Sequence, residues 1–567
     1  MTAAVTATPE RPRTRRIDWL PWVAGGLTVA VLVLFILIPI LQLLVSAFLP
    51  QKTPFSLEAL TLANFRRFMQ APTYQSAFVN SLLVSILSTF LATVLALPAA
   101  YAVARIRMPF RNLILALSVI PLIAPPFIGA FSWITLLGRN GIVTHFLNSW
   151  FGITLPSIYG LFGVVLALSL SLFPYVFLIV QGALSAADPY IEESAQIMGA
   201  SRWRILRTIT FPLITPAIGA AAMIVFIKAL GNFGVPAILG GQMYVLPTLM
   251  YFQVHGFFNL NAAAAIALVN VGITLVALLI LTWLNRRRRF VTVTGVTRRM
   301  PKSAGRGARI FANVYVWGLL FVALLPQIMV IWISFAERWA GTVFPTEYGL
   351  GNYITIWPVL RQVITNSVFL AGAATLMAVV FGTLVSYSSV RHKFKGKWAL
   401  DLTVMLPFIL PGIITGVSFL ITFNSGPIVL TGTAAILIFA YFVRRVAYVF
   451  RTVSASLSQV DTRIEEASTV CGATWGYTMR KVTVPLVAPG VLAGAIIAFA
   501  DLVSEMSVTV FLYSAQWKTI SIAIFERLVA DETAAAAAIG SVTIVLVLSL
   551  VFGASKLVGK NMADMFR

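Results

Sequence analysis

Residues 192–212 read EESAQIMGASRWRILRTITFP, and residues 465–485 read EEASTVCGATWGYTMRKVTVP. Each phrase begins with an acidic pair, reaches a glycine seven residues later and a proline thirteen residues after that. The order predicts a short acidic helix, a sharp turn at a residue free to take positive φ, and a second short amphipathic helix. The proline then opens an apolar run, a position that tolerates a missing N–H. Both phrases are polar intervals in an apolar chain, and what surrounds them decides the fold.

Of 567 residues, 59% are hydrophobic and only 10% charged, with a mean hydropathy of +0.92. That is the composition of a polytopic membrane protein. A spanning helix needs about 20 mostly apolar residues. Twelve runs supply them, over 20–48, 77–104, 112–137, 157–182, 209–239, 258–285, 311–336, 365–390, 399–424, 429–455, 482–512 and 534–557. Lipid offers no partner to backbone N–H and C=O groups, and runs this long and uniformly apolar are helices rather than barrel strands. The expected fold class is all-α. The first run is too long for the apolar core of a signal peptide and follows Arg11, Arg13, Arg15 and Arg16, so it reads as a retained span.

With the N-terminus in the cytoplasm, 30 of the 41 Lys and Arg fall on that side, 8 outside and 3 within spans. That bias selects a topology with both termini inside. The chain is expected to lie in a membrane, surrounded by lipid. The richest basic segment is 286–310, with Arg286 to Arg289, Arg298, Arg299, Lys302, Arg306 and Arg309 and no acid. It reads as a cytoplasmic linker between a first half, 1–285, and a second, 311–567. The net charge of +23 therefore follows from topology and does not call for a nucleic-acid partner. Cys471 is the single cysteine, which excludes a disulfide framework and a Cys metal cluster. His145, His255 and His392 are scattered over three loops and read as solvated.

The two phrases reveal a repeat. An offset of 273 pairs Leu184-Ser185 with Leu457-Ser458, Asp188 with Asp461, Pro212 with Pro485 and Pro216 with Pro489. Earlier in each half the offset is 286, pairing Asn80-Ser81 with Asn366-Ser367, Pro121 with Pro407 and Pro125 with Pro411. A longer outer loop around 138–157 accounts for the 13-residue difference. Six spans per half, both starting inside, make the repeats parallel, related by an axis along the membrane normal. A pathway between two such halves suggests a transporter or channel.

Glu193-Ser194-Ala195, Gly199 and Ile209-Thr210-Phe211-Pro212 resemble the EAA motif of ABC importer permeases. Glu466-Ala467-Ser468, Gly472 and Val482-Thr483-Val484-Pro485 repeat it at the same spacing. The departures are small: Ser or Ala in the small positions, Phe or Val for the usual Leu. The resemblance implies a type I importer permease fold and makes each phrase a coupling loop seated on a cytoplasmic ATPase. The coupling set is then Glu192, Glu193, Ala195, Gly199 and Ala200 in the first copy, and Glu465, Glu466, Gly472 and Ala473 in the second. It also implies two copies of the ATPase, one per loop, an extracytoplasmic substrate-binding protein, and a place in a bacterial cytoplasmic (inner) membrane. No GxxxxGK[ST] phosphate loop occurs. The chain is thus expected not to be an enzyme and to hold no cofactor, with ATP bound on the partner subunit.

Fusion of both halves in one chain resembles the ferric-iron permeases, with thiamine permeases the nearest competitor. Ser504-Glu505-Met506-Ser507-Val508-Thr509 looks like a phrase of the iron group. Asp501 and Glu505 stand four residues apart in an apolar run, hence on one helix face, and acids within spans face a bundle interior or an aqueous path. Hard oxygen ligands suit ferric iron, which makes Glu505 a candidate metal ligand, against a reading as a solvated helix-end residue. Arg444 and Arg445, in the tenth run, suit an anionic chelate, a phosphonate or a phosphate ester, against snorkelling to the interface. The repeat pairs Lys228 with Asp501 and Asn232 with Glu505. An intramembrane Lys228–Asp501 salt bridge across the halves is the resulting expectation. Other classes consistent with buried acids in parallel repeats are an ion-gradient-driven carrier and a channel.

Overall fold

A computed structural model describes residues 20–51, 53, 56–123, 126–286, 305–338, 344–392 and 395–558. The expected linker falls mostly outside these residues, as do Arg11 to Arg16 and Pro125; Arg306 and Arg309 belong to the next helix, Arg306–Ser334. Among the described residues the regular structure is helical apart from one short antiparallel pair, Ala336–Arg338 with Glu347–Tyr348.

The two halves repeat element by element. Leu161–Ala186 corresponds to Ala434–Leu457, and Arg202–Leu230 to Trp475–Val503. Pro72–Arg105 corresponds to Gly351–Arg391, and Leu260–Arg286 to Thr533–Val558. Between the paired third and fourth spans lie residues 138–160 in the first half and 424–433 in the second, the 13-residue excess expected of the outer loop. The excess is partly helical, at Ile142–Phe151.

Among the described residues nine helices are long and apolar enough to cross a membrane, or eleven if two bent pairs each count as one span. The Ala434–Leu457 helix stands where the tenth run was expected; Arg444, Arg445 and Arg451 set it apart from those nine. The twelve uninterrupted runs need correction at four places. In the ninth, Lys397–Ile409 and Gly412–Phe423 meet at 108°, because Pro411 disfavours helical geometry at Leu410 and the chain turns there. The third run is likewise divided, into Arg111–Ile123 and Pro126–Leu137. The fifth and eleventh helices stop at Leu230 and Val503, and the rest of each run forms separate short helices, Gly234–Leu239 and Thr509–Leu512.

The repeated Asn-Ser pair pins the chain that follows these short helices. Asn80 Nδ2 donates to Tyr244 O at 3.0 Å, and Ser81 Oγ accepts from Leu246 N at 2.7 Å. In the second half Asn366 Nδ2 donates to Gln516 O and Lys518 O at 2.9 Å, and Ser367 Oγ accepts from Ile520 N at 2.9 Å. Non-helical backbone at depth has to be satisfied by protein, and these two side chains do that in each half.

Close packing rather than water exclusion must hold helices together in lipid. Gly490 and Gly494 sit one turn apart against Ala434–Leu457, where a Cβ would collide with Ser456 and Thr452. The first helix of each half leans on the other half. Ile38–Ala47 packs on Gly412–Phe423, with Phe35 just before it stacked on Phe439 at 3.9 Å, while Arg306–Ser334 packs on Pro126–Leu137. There Ser132 Oγ donates to Pro326 O at 2.8 Å. This exchange ties the halves around a shared centre.

Candidate functional site

At one end of the molecule the two phrases form the predicted helix–turn–helix units. Asp188 caps Pro189–Ile197 by accepting from Tyr190 N at 2.9 Å, and Asp461 accepts from Arg463 N at the same distance. Gly199 and Gly472 have φ of +85° and +84°. Gly199 N donates to Gln196 O and Ala200 N to Ala195 O. Gly472 N donates to Thr469 O and Ala473 N to Ser468 O. Both turns are Schellman motifs, whose left-handed residue is glycine because a Cβ there is strained.

The first acid of each pair faces inward. Glu192 Oε1 accepts from Arg105 Nη2 at 2.9 Å and from Thr210 Oγ1 at 3.1 Å. Glu465 Oε1 accepts from Arg391 Nε at 3.2 Å and Thr483 Oγ1 at 3.2 Å, and Tyr387 OH donates to its Oε2 at 3.3 Å. Each clamp joins the end of one long span, the acidic helix and the base of the next span. Arg105 and Arg391 were missed from sequence, although an offset of 286 pairs them, and Thr210 and Thr483 were read only as motif residues, without this role. The second acids differ in setting, Glu193 half-buried and Glu466 exposed. Beyond the clamps the loop tips expose Ile197 (87%) and Met198 in one copy and Val470 (83%) in the other.

The expected proline position needs correction. Pro212 does not begin a span; a single helical run extends from Arg202 to Leu230, with a widened π turn over Leu206–Thr210 just before the proline. Met479–Thr483 repeats this before Pro485. A proline ring clashes with the carbonyl four residues back, and widening the preceding turn moves that carbonyl aside without ending the helix.

Midway between the halves lies a cavity of about 170 Å³. Repeat-related residues line it from both sides: Lys228 and Asp501, Asn232 and Glu505, Tyr175 and Tyr448, Ser171 and Arg444. It therefore sits on the pseudo-twofold axis. Arg445, 4% exposed, donates from Nη2 to Asp501 Oδ2 and Glu505 Oε2, both at 2.8 Å. Tyr448 OH donates to Asp501 Oδ2 at 3.5 Å. Arg444 Nη1 donates to Pro407 O at 3.1 Å and Leu410 O at 2.8 Å, the carbonyls freed where the ninth span bends.

Four expectations change here. Asp501 pairs with Arg445, and no Lys228–Asp501 ion pair within 4.0 Å exists among the described residues; Lys228 Nζ instead lies 5.1 Å from the centre of the Tyr175 ring. The repeat predicted proximity to the axis but not rotamers, and a guanidinium able to serve two carboxylates displaces an ammonium. Glu505 is neither on the Asp501 helix, which ends at Val503, nor solvated; it is 7% exposed. Neither Arg444 nor Arg445 snorkels. His255 stays exposed as expected but lies in a helical turn, Phe252–Gly256, rather than a loop, and its Nε2 makes a hydrogen bond of 3.0 Å with Val510 O of the other half.

Two pseudo-symmetric halves closing on a charged cavity, with paired polar loops at one end, define a membrane component of a transport system. Residues 88–290 and 378–562 match the family described as "binding-protein-dependent transport system inner membrane component". The chain belongs to that family. It is 30% identical over 495 residues to the ferric transport system permease protein FbpB of Actinobacillus pleuropneumoniae, covering 85% of this chain and 71% of that one. It is 27% identical over 560 residues to the probable ABC transporter permease protein y4fN of Sinorhizobium fredii, covering 95% and 96%. The molybdenum transport system permease protein ModB of Escherichia coli is 29% identical over 218 residues, 37% of this chain and 94% of that one.

Proposed function

We propose that this chain is the permease of an ATP-driven importer of ferric iron, fed by an outer binding protein and driven by two copies of a cytoplasmic ATPase. Its closest support is the pair of repeat-related helix–turn–helix loops, each clamped to two spans and exposing an apolar tip suited to seat in a partner's cleft. The positive-inside bias puts these loops and both termini in the cytoplasm. The ferric substrate comes from the relatives of similar layout. ATP resides on the partner subunit, the chain itself binding no cofactor. Motion of the docked ATPases would pass through the acidic helices into the fifth and eleventh spans, which border the cavity, and shift its access from one side to the other.

The test is uptake of radiolabelled iron by cells carrying this chain, the ATPase and the binding protein. Uptake should stop when the ATPase phosphate-loop lysine is replaced and should survive collapse of the ion gradient. The opposite pattern would establish a secondary carrier, the competing class.

A further inference from the structure

Five charged side chains line the central cavity, three basic and two acidic. The acids are already engaged. Both Glu505 oxygens are used, Oε1 by the Val508 N–H at 3.2 Å and Oε2 by Arg445, and Asp501 Oδ2 takes Arg445 and Tyr448. A bare trivalent cation needs several oxygen ligands, and no group of three His, Cys, Asp or Glu that could hold a metal occurs among the described residues.

Two of the bases are differently placed. Lys228 meets an aromatic face, and Arg444 meets two neutral carbonyls with one nitrogen while its buried Nε has no partner. Neither makes an ion pair within 4.0 Å among the described residues. Gly412 stands beside the guanidinium, where a Cβ would approach Arg444 Nη2 to 3.1 Å, so its absence leaves room there. Cations kept at membrane depth without a carboxylate are costly unless an anion arrives to share them. The cavity volume corresponds to about five or six waters, enough for a phosphate-sized group.

We infer that the cavity is a binding site for an anionic oxygen group, a phosphate, phosphonate or carboxylate, held between Lys228 of the first half and Arg444 of the second. This rests on the permease reading and refines its substrate: ferric iron passes as a complex with an anion, not as a bare cation. Such a group bridges the two halves, which gives the occupied cavity a reason to close.

Equilibrium dialysis of the full chain in lipid nanodiscs against radiolabelled orthophosphate and citrate tests the site. The expected result is one equivalent bound per chain, weakened about tenfold or more by Lys228→Met or Arg444→Met, and retained in Lys228→Arg, which also shows that the site tolerates substitution. Saturable binding unchanged in both Met variants, or no binding by the wild type, would overturn the inference. Iron uptake by the complete transporter is the separate arm. Anion binding without iron uptake would remove the ferric reading and leave the site standing. Iron uptake with wild-type half-saturation in both Met variants would remove the site and leave the permease standing.

Discussion

Glu505 and Asn232 hold the same backbone position in opposite halves: Glu505 Oε1 accepts from Val508 N at 3.2 Å, and Asn232 Oδ1 accepts from Val235 N at 2.9 Å. Each closes the turn in which a span stops short of the far side. The shared role needs only an oxygen, so the carboxylate in the second half has a further one, which is to balance Arg445.

Glu505→Gln keeps the turn and loses the balance. Its expected cost is about 1–3 kcal/mol, that of a hydrogen bond to a charged group. Arg445→Met leaves two acids facing each other with 5–6% exposure at the Arg445–Glu505 contact and should cost about 3–5 kcal/mol. Thermal unfolding in detergent should rank wild type above Glu505→Gln above Arg445→Met. Equal midpoints for all three would show that the ion triad contributes nothing to the fold.

The arrangement also changes what a charge swap should do. With Asp501 bound to Arg445 at 2.8 Å, Lys228→Asp combined with Asp501→Lys sets a lysine against an arginine. The double variant should transport no better than Asp501→Lys alone, because both carry the like-charge contact with Arg445 and Lys228→Asp does not remove it. Recovery of uptake in the double variant would mean that Lys228 and Asp501 do pair in a working conformation.

What could be read beforehand followed from periodicity. The apolar runs gave the span positions, the repeat gave the parallel halves, and the glycines of the two phrases gave left-handed turns at Gly199 and Gly472. The breaks were not read because residues 235–239 and 508–512 resume an apolar run after the polar Gly231-Asn232 and Ser504-Glu505, and the chain beyond them is held by tertiary bonds to Ser81 and Ser367, far away in sequence. For the cavity, repeat arithmetic found Lys228, Asn232, Asp501 and Glu505 but could not say which base faces which acid. That choice depends on Arg445, whose repeat partner, Leu172, carries no charge.

The turn glycines make a sharper prediction. Nothing lies within 4 Å of a Cβ built on Gly199 or Gly472, so substitutions there act through backbone strain alone. Asparagine tolerates the left-handed region and valine does not. Gly199→Asn and Gly472→Asn should keep most uptake, whereas in transporters carrying the valine variants, strained by about 1–2 kcal/mol, the partner ATPase should hydrolyse ATP without proportionate uptake. Valine and asparagine variants of equal activity would show that the turn geometry carries no coupling.

The π turns offer the most direct probe of how the loops are joined to the cavity. In each copy the turn sits between the clamp on the acidic helix and the span that ends at the cavity, with Phe211 N reaching back to Leu206 O and Val484 N to Met479 O. The widened turn is kept by the proline that follows, since its ring cannot sit over a normally placed carbonyl. Pro212→Ala or Pro485→Ala removes that requirement and allows a regular helix, in which one residue of register equals a rotation of about 100°. The clamps at Thr210 and Thr483 would then turn away from Glu192 and Glu465, to which they now donate at 3.1 and 3.2 Å. Both alanine variants should fold and reach the membrane at normal levels, bind the ATPase, and lose about tenfold or more of substrate-stimulated uptake, a figure matching one to two kcal/mol of lost coupling. Wild-type uptake in both alanine variants would show that the register before the proline is free, and that motion reaches the cavity by another route.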